Sequence, residues 1–121
     1  MSVLDNRLRQ HRWELDERRR FLAGLESLAA RLRRDAQRLH WEIEQETGAA
    51  HTERKPDVVY PIYVEPLLER RKKLQGSIAE IETQIADARE AVAAAEQEVS
   101  LVEAAWTQRA AANGTGRRLR R

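Results

Sequence analysis

From Leu74 to Trp106 the chain places an apolar residue at alternating steps of four and three, with none missed: Leu74, Ile78, Ile81, Ile85, Ala88, Val92, Ala95, Val99, Val102 and Trp106. Such steps keep every one of these side chains on a single stripe of an α-helix. A stripe this long and narrow is an a/d heptad seam, the pattern of a helix packed along its length against another helix. No proline interrupts it, and Gly76 stands near its start. Glu, Gln, Ala and Asp fill most of the remaining positions. The helix needs a partner, and the rest of the chain offers one.

That partner is the first third of the chain. Leu4, Leu8, His11, Leu15, Arg18, Leu22, Leu25, Ala29, Leu32, Ala36, Leu39 and Ile43 repeat the same steps, and all but His11 and Arg18 are apolar. Phe21 and Leu28 are expected to widen the stripe. Ser2 or Asp5 is a plausible cap, since either side-chain oxygen can accept a bond from the unpaired amides of a first turn. Gly24 costs ~1 kcal/mol relative to Ala without breaking a helix. Thr47-Gly48 reads as the stop, because glycine takes the left-handed conformation that closes helices.

Residues 48–63, GAAHTERKPDVVYPIY, then read as a connector, with Pro56 and Pro61 set against regular helix. The second helix is expected to start between Tyr63 and Pro66, its seam running Val64, Leu67, Arg71 and Leu74 into the long stripe. It is expected to end at Asn113-Gly114, before a flexible tail whose last five residues, RRLRR, carry four Arg. The expected fold is therefore all-α: a long antiparallel two-helix coiled-coil hairpin over residues 1–112. Its first helix covers about 4–47, its connector 48–63 and its second helix about 64–112, and an Arg-rich tail occupies 113–121. The alternative is an intermolecular coil in which the helices do not fold back.

Charge supports the folding back. Residues 74–108 carry seven acids and one base, Arg89, whereas residues 1–40 carry ten bases and six acids. An antiparallel hairpin lays the acidic stretch beside the basic one, and flanking charges of this kind select partner and orientation. On that register Arg18 would lie near Glu90 or Glu98, and Arg71 near Glu44. A helix pair buries little surface per residue, so modest stability is expected.

For function the residues argue mainly by exclusion. At 121 residues the chain makes one domain at most. There is no cysteine, hence no disulfide and no thiolate metal site. No N-terminal stretch resembles a signal peptide and nothing approaches a membrane span. Phosphate-loop, dinucleotide and HExxH patterns are missing, and no Ser nucleophile stands in a recognisable setting. His11, His40 and His51 share no metal-like spacing, so they read as solvated or seam residues. The acidic residues read as solvated helix charges. No enzyme activity, cofactor or small-molecule substrate is expected. Basic runs at 18–20, 31–34, 70–73 and 117–121 are either flanking charge or contacts to an acidic protein, an anionic membrane or nucleic acid. Aromatic residues are not interleaved with them as a base-stacking platform requires, which argues against nucleic acid. Trp106 lies on the seam and is expected to pack there. Trp13 and Trp41 fall off it, and an exposed one would be a partner anchor. Tyr60-Pro61-Ile62-Tyr63 is either a staple for the second helix or a binding patch.

The segment VVYPIYVEPLLERRKKLQGSIAEIETQIADAREAVAAAEQEVSLVEAAWTQR resembles the FliJ family of the flagellar type III export apparatus, particularly its short members with a YPxY junction. The likeness extends over nearly the whole chain: a charged first helix, the junction, then a heptad helix rich in Ala and Glu. It implies an antiparallel coiled coil like the stalk of the rotary ATPase gamma subunit. A protein of this kind inserts into the export ATPase ring, promotes its assembly and activity, contacts the membrane export gate, and acts as a general chaperone or escort for export substrates, with export chaperones as further partners. By the same resemblance the ATPase contact falls on the paired termini, at Leu4, Leu8, Val99, Val102, Trp106 and Arg109. The gate contact falls on Tyr63, Leu67, Arg70 and Leu74. The implied location is cytoplasmic, peripherally associated with the export apparatus. The competing expectation is a generic coiled-coil scaffold tethered by its basic tail to a membrane or nucleic acid.

Overall fold

The computed structural model describes residues 3–52 and 56–119 in backbone, and residues 3–48 and 64–114 in side-chain detail. The described chain is two helices packed against each other, α1 (Val3–Thr52) and α2 (Pro56–Leu119). By contacts it divides into two compact units. Unit 1 joins Met1–Ala23 to Ala86–Arg121, and unit 2 is Gly24–Ile85.

In unit 1 the core is Leu8 and Leu15 of α1 against Val92, Ala95 and Val99 of α2, with Leu22 and Val102 packed beside them. Polar contacts set the direction of the pairing. The Trp106 indole donates to Asp5 Oδ1 at 2.6 Å, and Arg12 Nη2 bridges Glu103 Oε1 at 3.0 Å. Higher numbers on α1 thus meet lower numbers on α2, so the two segments run antiparallel. In unit 2 Leu39, Ile43 and Val64 form the buried centre, and Leu67, Leu68 and Leu74 pack against it. Arg33 Nη2 bridges Glu82 Oε1 at 3.2 Å, while Ile43 meets Val64, which is again antiparallel. In the Arg12–Glu103 and Arg33–Glu82 bridges α1 supplies the base and α2 the acid.

The four-and-three rhythm governs burial. Ile81, Ile85, Ala88, Val92, Ala95 and Val99 are all buried on α2, and Leu8, Leu15, Leu25, Ala29, Leu39 and Ile43 on α1. Arg71 and His11 are half-buried at their seam positions. Arg18 departs from the expected arrangement: it is exposed, because a long side chain can turn its charged head into water while its stem lies along the helix. Phe21 and Leu28 do not widen the buried stripe but are 64% and 42% exposed. Two helices enclose only one narrow seam, and a residue beside it is covered only if a third element lies there.

The helices are longer than expected. α1 passes through Thr47-Gly48 to Thr52, and α2 begins at Pro56 and passes through Gly114 to Leu119. The connector thus shrinks to residues 53–55, which lie outside the described residues. The Thr47 hydroxyl donates to the Ile43 carbonyl at 2.7 Å, satisfying itself within the helix instead of ending it. Pro56 occupies the first helical position, where its missing amide costs nothing. Pro61 and Pro66 each withhold one helical amide. The fully buried Val64 shows that packing on Leu39 and Ile43 holds this part of α2 regardless. At the far end Ala110-Ala111-Ala112 has the highest helix propensity of any residue type, enough to carry the helix past Asn113-Gly114. The side chains of the Arg-rich tail and of Tyr60–Tyr63, along with Ser2 and the His51 side chain, lie outside the described residues. Asp5 lies in the first turn of α1, and its Oδ1 accepts from the Trp106 indole.

Candidate partner-binding surfaces

The residues expected at the ATPase contact gather in unit 1 but divide by exposure. Leu8 and Val99 are core and Val102 packs against that core, so these three hold α1 to α2 and present little to a partner. Leu4 is half-buried and Arg109 exposed. Trp106 does not pack as a seam residue should. It is 44% exposed, and its ring bridges the helices by donating to Asp5. An indole has one polar atom, and meeting a carboxylate there fixes the ring while leaving apolar surface in water. Asp5, Leu8, Arg9, Arg12 and Trp106 together line a shallow groove of about 340 Å³. A second groove, of about 420 Å³, lies along the charged edge formed by Arg12, Asp16, Arg19, Glu96 and Glu103.

The residues expected at the gate contact lie in unit 2. Leu67 and Leu74 are half-buried against the Leu39, Ile43 and Val64 cluster, so each serves the core with one side and solvent with the other. Arg70 is exposed. The side chain of Tyr63 lies outside the described residues. Sequence reasoning missed the company these residues keep across the helix pair. Asp35, Leu39, Arg70, Lys73, Leu74 and Ser77 line one groove of about 250 Å³, two Leu with the cations Arg70 and Lys73 and the acid Asp35 around them. The signal was present in the register: residues whose numbers add to a constant face each other in an antiparallel pair, which places Asp35 close to the level of Ser77 and Leu39 close to that of Leu74. Trp13 and Trp41, expected to include an exposed anchor, are both exposed, at 63% and 60%.

Among the described residues no group of three His, Cys, Asp or Glu side chains converges as a metal-ligand set, and no helix is long and apolar enough to cross a membrane. Such surfaces can bind proteins through apolar anchors and matched charge. No family model, no curated protein and no solved structure matches the chain.

Proposed function

We propose that the chain is a non-enzymatic component of the flagellar type III export apparatus. In this reading it is a coiled-coil stalk and escort that binds the export ATPase ring and the membrane export gate, with export chaperones as further partners, and promotes export of flagellar proteins. It works in the cytoplasm, held peripherally at the membrane machinery. The observation that carries the reading is the pairing of a heptad helix hairpin with a cationic, Leu-floored groove on early α2, directly following the YPIY junction by which the chain resembles that family. Arg70 and Lys73 offer an acidic partner charge, and the exposed sides of Leu67 and Leu74 offer it an apolar footing. At the ATPase end the contact falls to the exposed Trp106 and Arg109, while Leu8, Val99 and Val102 support them from below.

The experiment is genetic and then biochemical. A deletion strain should fail to swim and to export flagellin; normal motility and export would sink the assignment and leave the generic tethered scaffold. In the purified protein, Arg70→Glu with Lys73→Glu should weaken gate binding about tenfold, the scale expected for charges at an interface rim. Arg109→Glu should reduce ATPase stimulation and leave gate binding alone.

A further inference from the structure

The outward face of α1 changes character between the two units. Midway between seam positions, every third or fourth side chain of α1 points away from α2. In unit 1 these are Gln10, Trp13, Glu17 and Arg20, all exposed, and Arg20 Nη1 is bridged to Glu17 Oε1 at 2.9 Å. Acid and base balance there. In unit 2 the same positions are Gly24, Ser27, Arg31, Arg34, Arg38 and Trp41, again all exposed, and no acid interrupts them. Arg31, Arg34 and Arg38 form no ion pair among the described residues. Residues 27–41 hold four Arg and one acid, Asp35, which lines the groove with Arg70 and Lys73. Glu26 and Glu42, like Asp35, occupy positions that flank the seam, toward α2. Glu44 Oε1 meets His40 Nε2 at 3.1 Å. The outward face of α2 in this unit is mixed, with Glu69, Lys73 and Glu80 all exposed, so the unopposed charge belongs to α1.

The steps from Arg31 to Arg34, Arg38 and Trp41 are three, four and three, which sets three guanidinium groups and an indole on one line about 15 Å long. The ridge is convex. Its large apolar groups are Trp41, 60% exposed at one end, and Leu28, 42% exposed at the shoulder, about 20 Å apart along the helix. A partner helix needs anchors a turn or two apart, and between these two lie only small or charged outward residues. A base-stacking platform would interleave aromatics with the bases, and here one aromatic stands at the end. A flat anionic bilayer meets every Arg of such a ridge at once, and an indole settles at headgroup depth. We propose that this face of α1 docks on the surface of an anionic membrane. Arg31, Arg34 and Arg38 lie against lipid phosphates, which guanidinium binds through paired donors, and Trp41 enters the headgroup layer. The proposal does not rest on the export assignment, and it differs from a tether through the terminal RRLRR run.

The test sediments the full chain with vesicles of phosphatidylcholine alone or of phosphatidylcholine mixed with phosphatidylglycerol. The chain should bind the anionic vesicles and leave the neutral ones. Arg31→Gln, Arg34→Gln and Arg38→Gln combined should weaken that binding at least about tenfold, with helicity unchanged by circular dichroism. Arg18→Gln, Arg19→Gln and Arg20→Gln combined remove as many bases from α1 in unit 1 and should weaken it no more than about threefold. Trp41→Ser should weaken binding and Trp13→Ser should leave it as it was. Equal binding to both vesicles, undiminished binding by the Arg31, Arg34 and Arg38 variant, or an equal loss in the Arg18, Arg19 and Arg20 variant overturns the proposal. Loss of all binding on removal of residues 117–121 also overturns it, by giving the tether to the tail. So does binding of a single-stranded oligonucleotide or of polyglutamate through Arg31, Arg34 and Arg38 by a chain that leaves anionic vesicles unbound.

Discussion

Units 1 and 2 use the same heptad rhythm to build different cores. In unit 1 the leucines of α1 meet small partners on α2, Leu8 and Leu15 against Val92, Ala95 and Val99. In unit 2 large meets large: Leu39 and Ile43 against Val64, with Leu67, Leu68 and Leu74 closing around them. Leu39 is 3% exposed and Val64 not at all, whereas every member of the unit 1 core keeps a sliver of access to solvent. Apolar burial scales with area, so side chains as enclosed as Leu39 and Val64 are expected to gain more from packing than Leu8 or Leu15 do. Polar contacts between the helices occur in both units, the Trp106–Asp5 bond and the Arg12–Glu103 bridge in unit 1 and the Arg33–Glu82 bridge in unit 2. The difference teaches that a continuous seam does not mean uniform strength.

Truncating a leucine probes this contrast with the largest effect. Leu39→Ala should cost about 3 kcal/mol, within the usual range for a buried leucine, and Leu15→Ala about 2 kcal/mol because its surroundings are smaller and less enclosed. Urea unfolding followed by circular dichroism measures both, and equal losses would break the comparison. The small side of unit 1 can be tested from the other direction. Ala95→Leu should destabilise by about 1–3 kcal/mol through overpacking; a gain would mean the seam there has unfilled space. Trp106→Phe removes the indole donor and should cost about 1 kcal/mol, because the bond reaches a carboxylate but sits in partly exposed surroundings. Full rescue of a Trp106→Phe loss by Asp5→Asn would show that the carboxylate charge itself was the problem. Gly76→Ala should stabilise by about 0.5–1 kcal/mol, since an added methyl there meets open space within α2.

The smallest effect belongs to the ion pairs. A double-mutant cycle on Arg12 and Glu103 should return about 0.5 kcal/mol, as both side chains are roughly half exposed, and the coupling should fade at about 1 M salt. The Arg33–Glu82 bridge of unit 2 should behave alike. A coupling several times larger in unit 1 alone would sharpen the comparison by showing polar contacts substituting there for apolar area.

Much of this fold is legible in the residues, because burial follows spacing. The seam from Leu74 to Val102 and its match on α1 could be written down from the 3.5-residue rhythm, and the basic-to-acidic pairing follows from composition. The helix ends were not legible. Gly48, Pro61 and Gly114 each carry a local signal to stop, and each is outweighed: Gly48 by a helix that continues on either side, Pro61 by the packing of Val64, and Gly114 by the alanines before it. The fate of Trp106 was hidden for a related reason. Its seam position promised burial, but the ring meets the first turn of α1, where Asp5 offers its nitrogen a partner and the ring stays 44% exposed. At the candidate gate contact, Leu67, Arg70 and Leu74 came from the family resemblance and not from spacing or composition. Asp35 and Leu39 required the register that brings α1 alongside.

Everything proposed for the two surfaces depends on α1 and α2 pairing antiparallel within one chain. The most direct measurement places cysteines at Arg12 and Glu103, whose side chains meet at 3.0 Å, in a chain that otherwise has none. Oxidised at low protein concentration, the double variant should form a disulfide within a single chain and run as a monomer. Controls at Arg12 with Glu90, three and a half turns out of register, should not close. A product made only of disulfide-linked dimers, or closure of the Arg12 and Glu90 pair in preference, would contradict the hairpin.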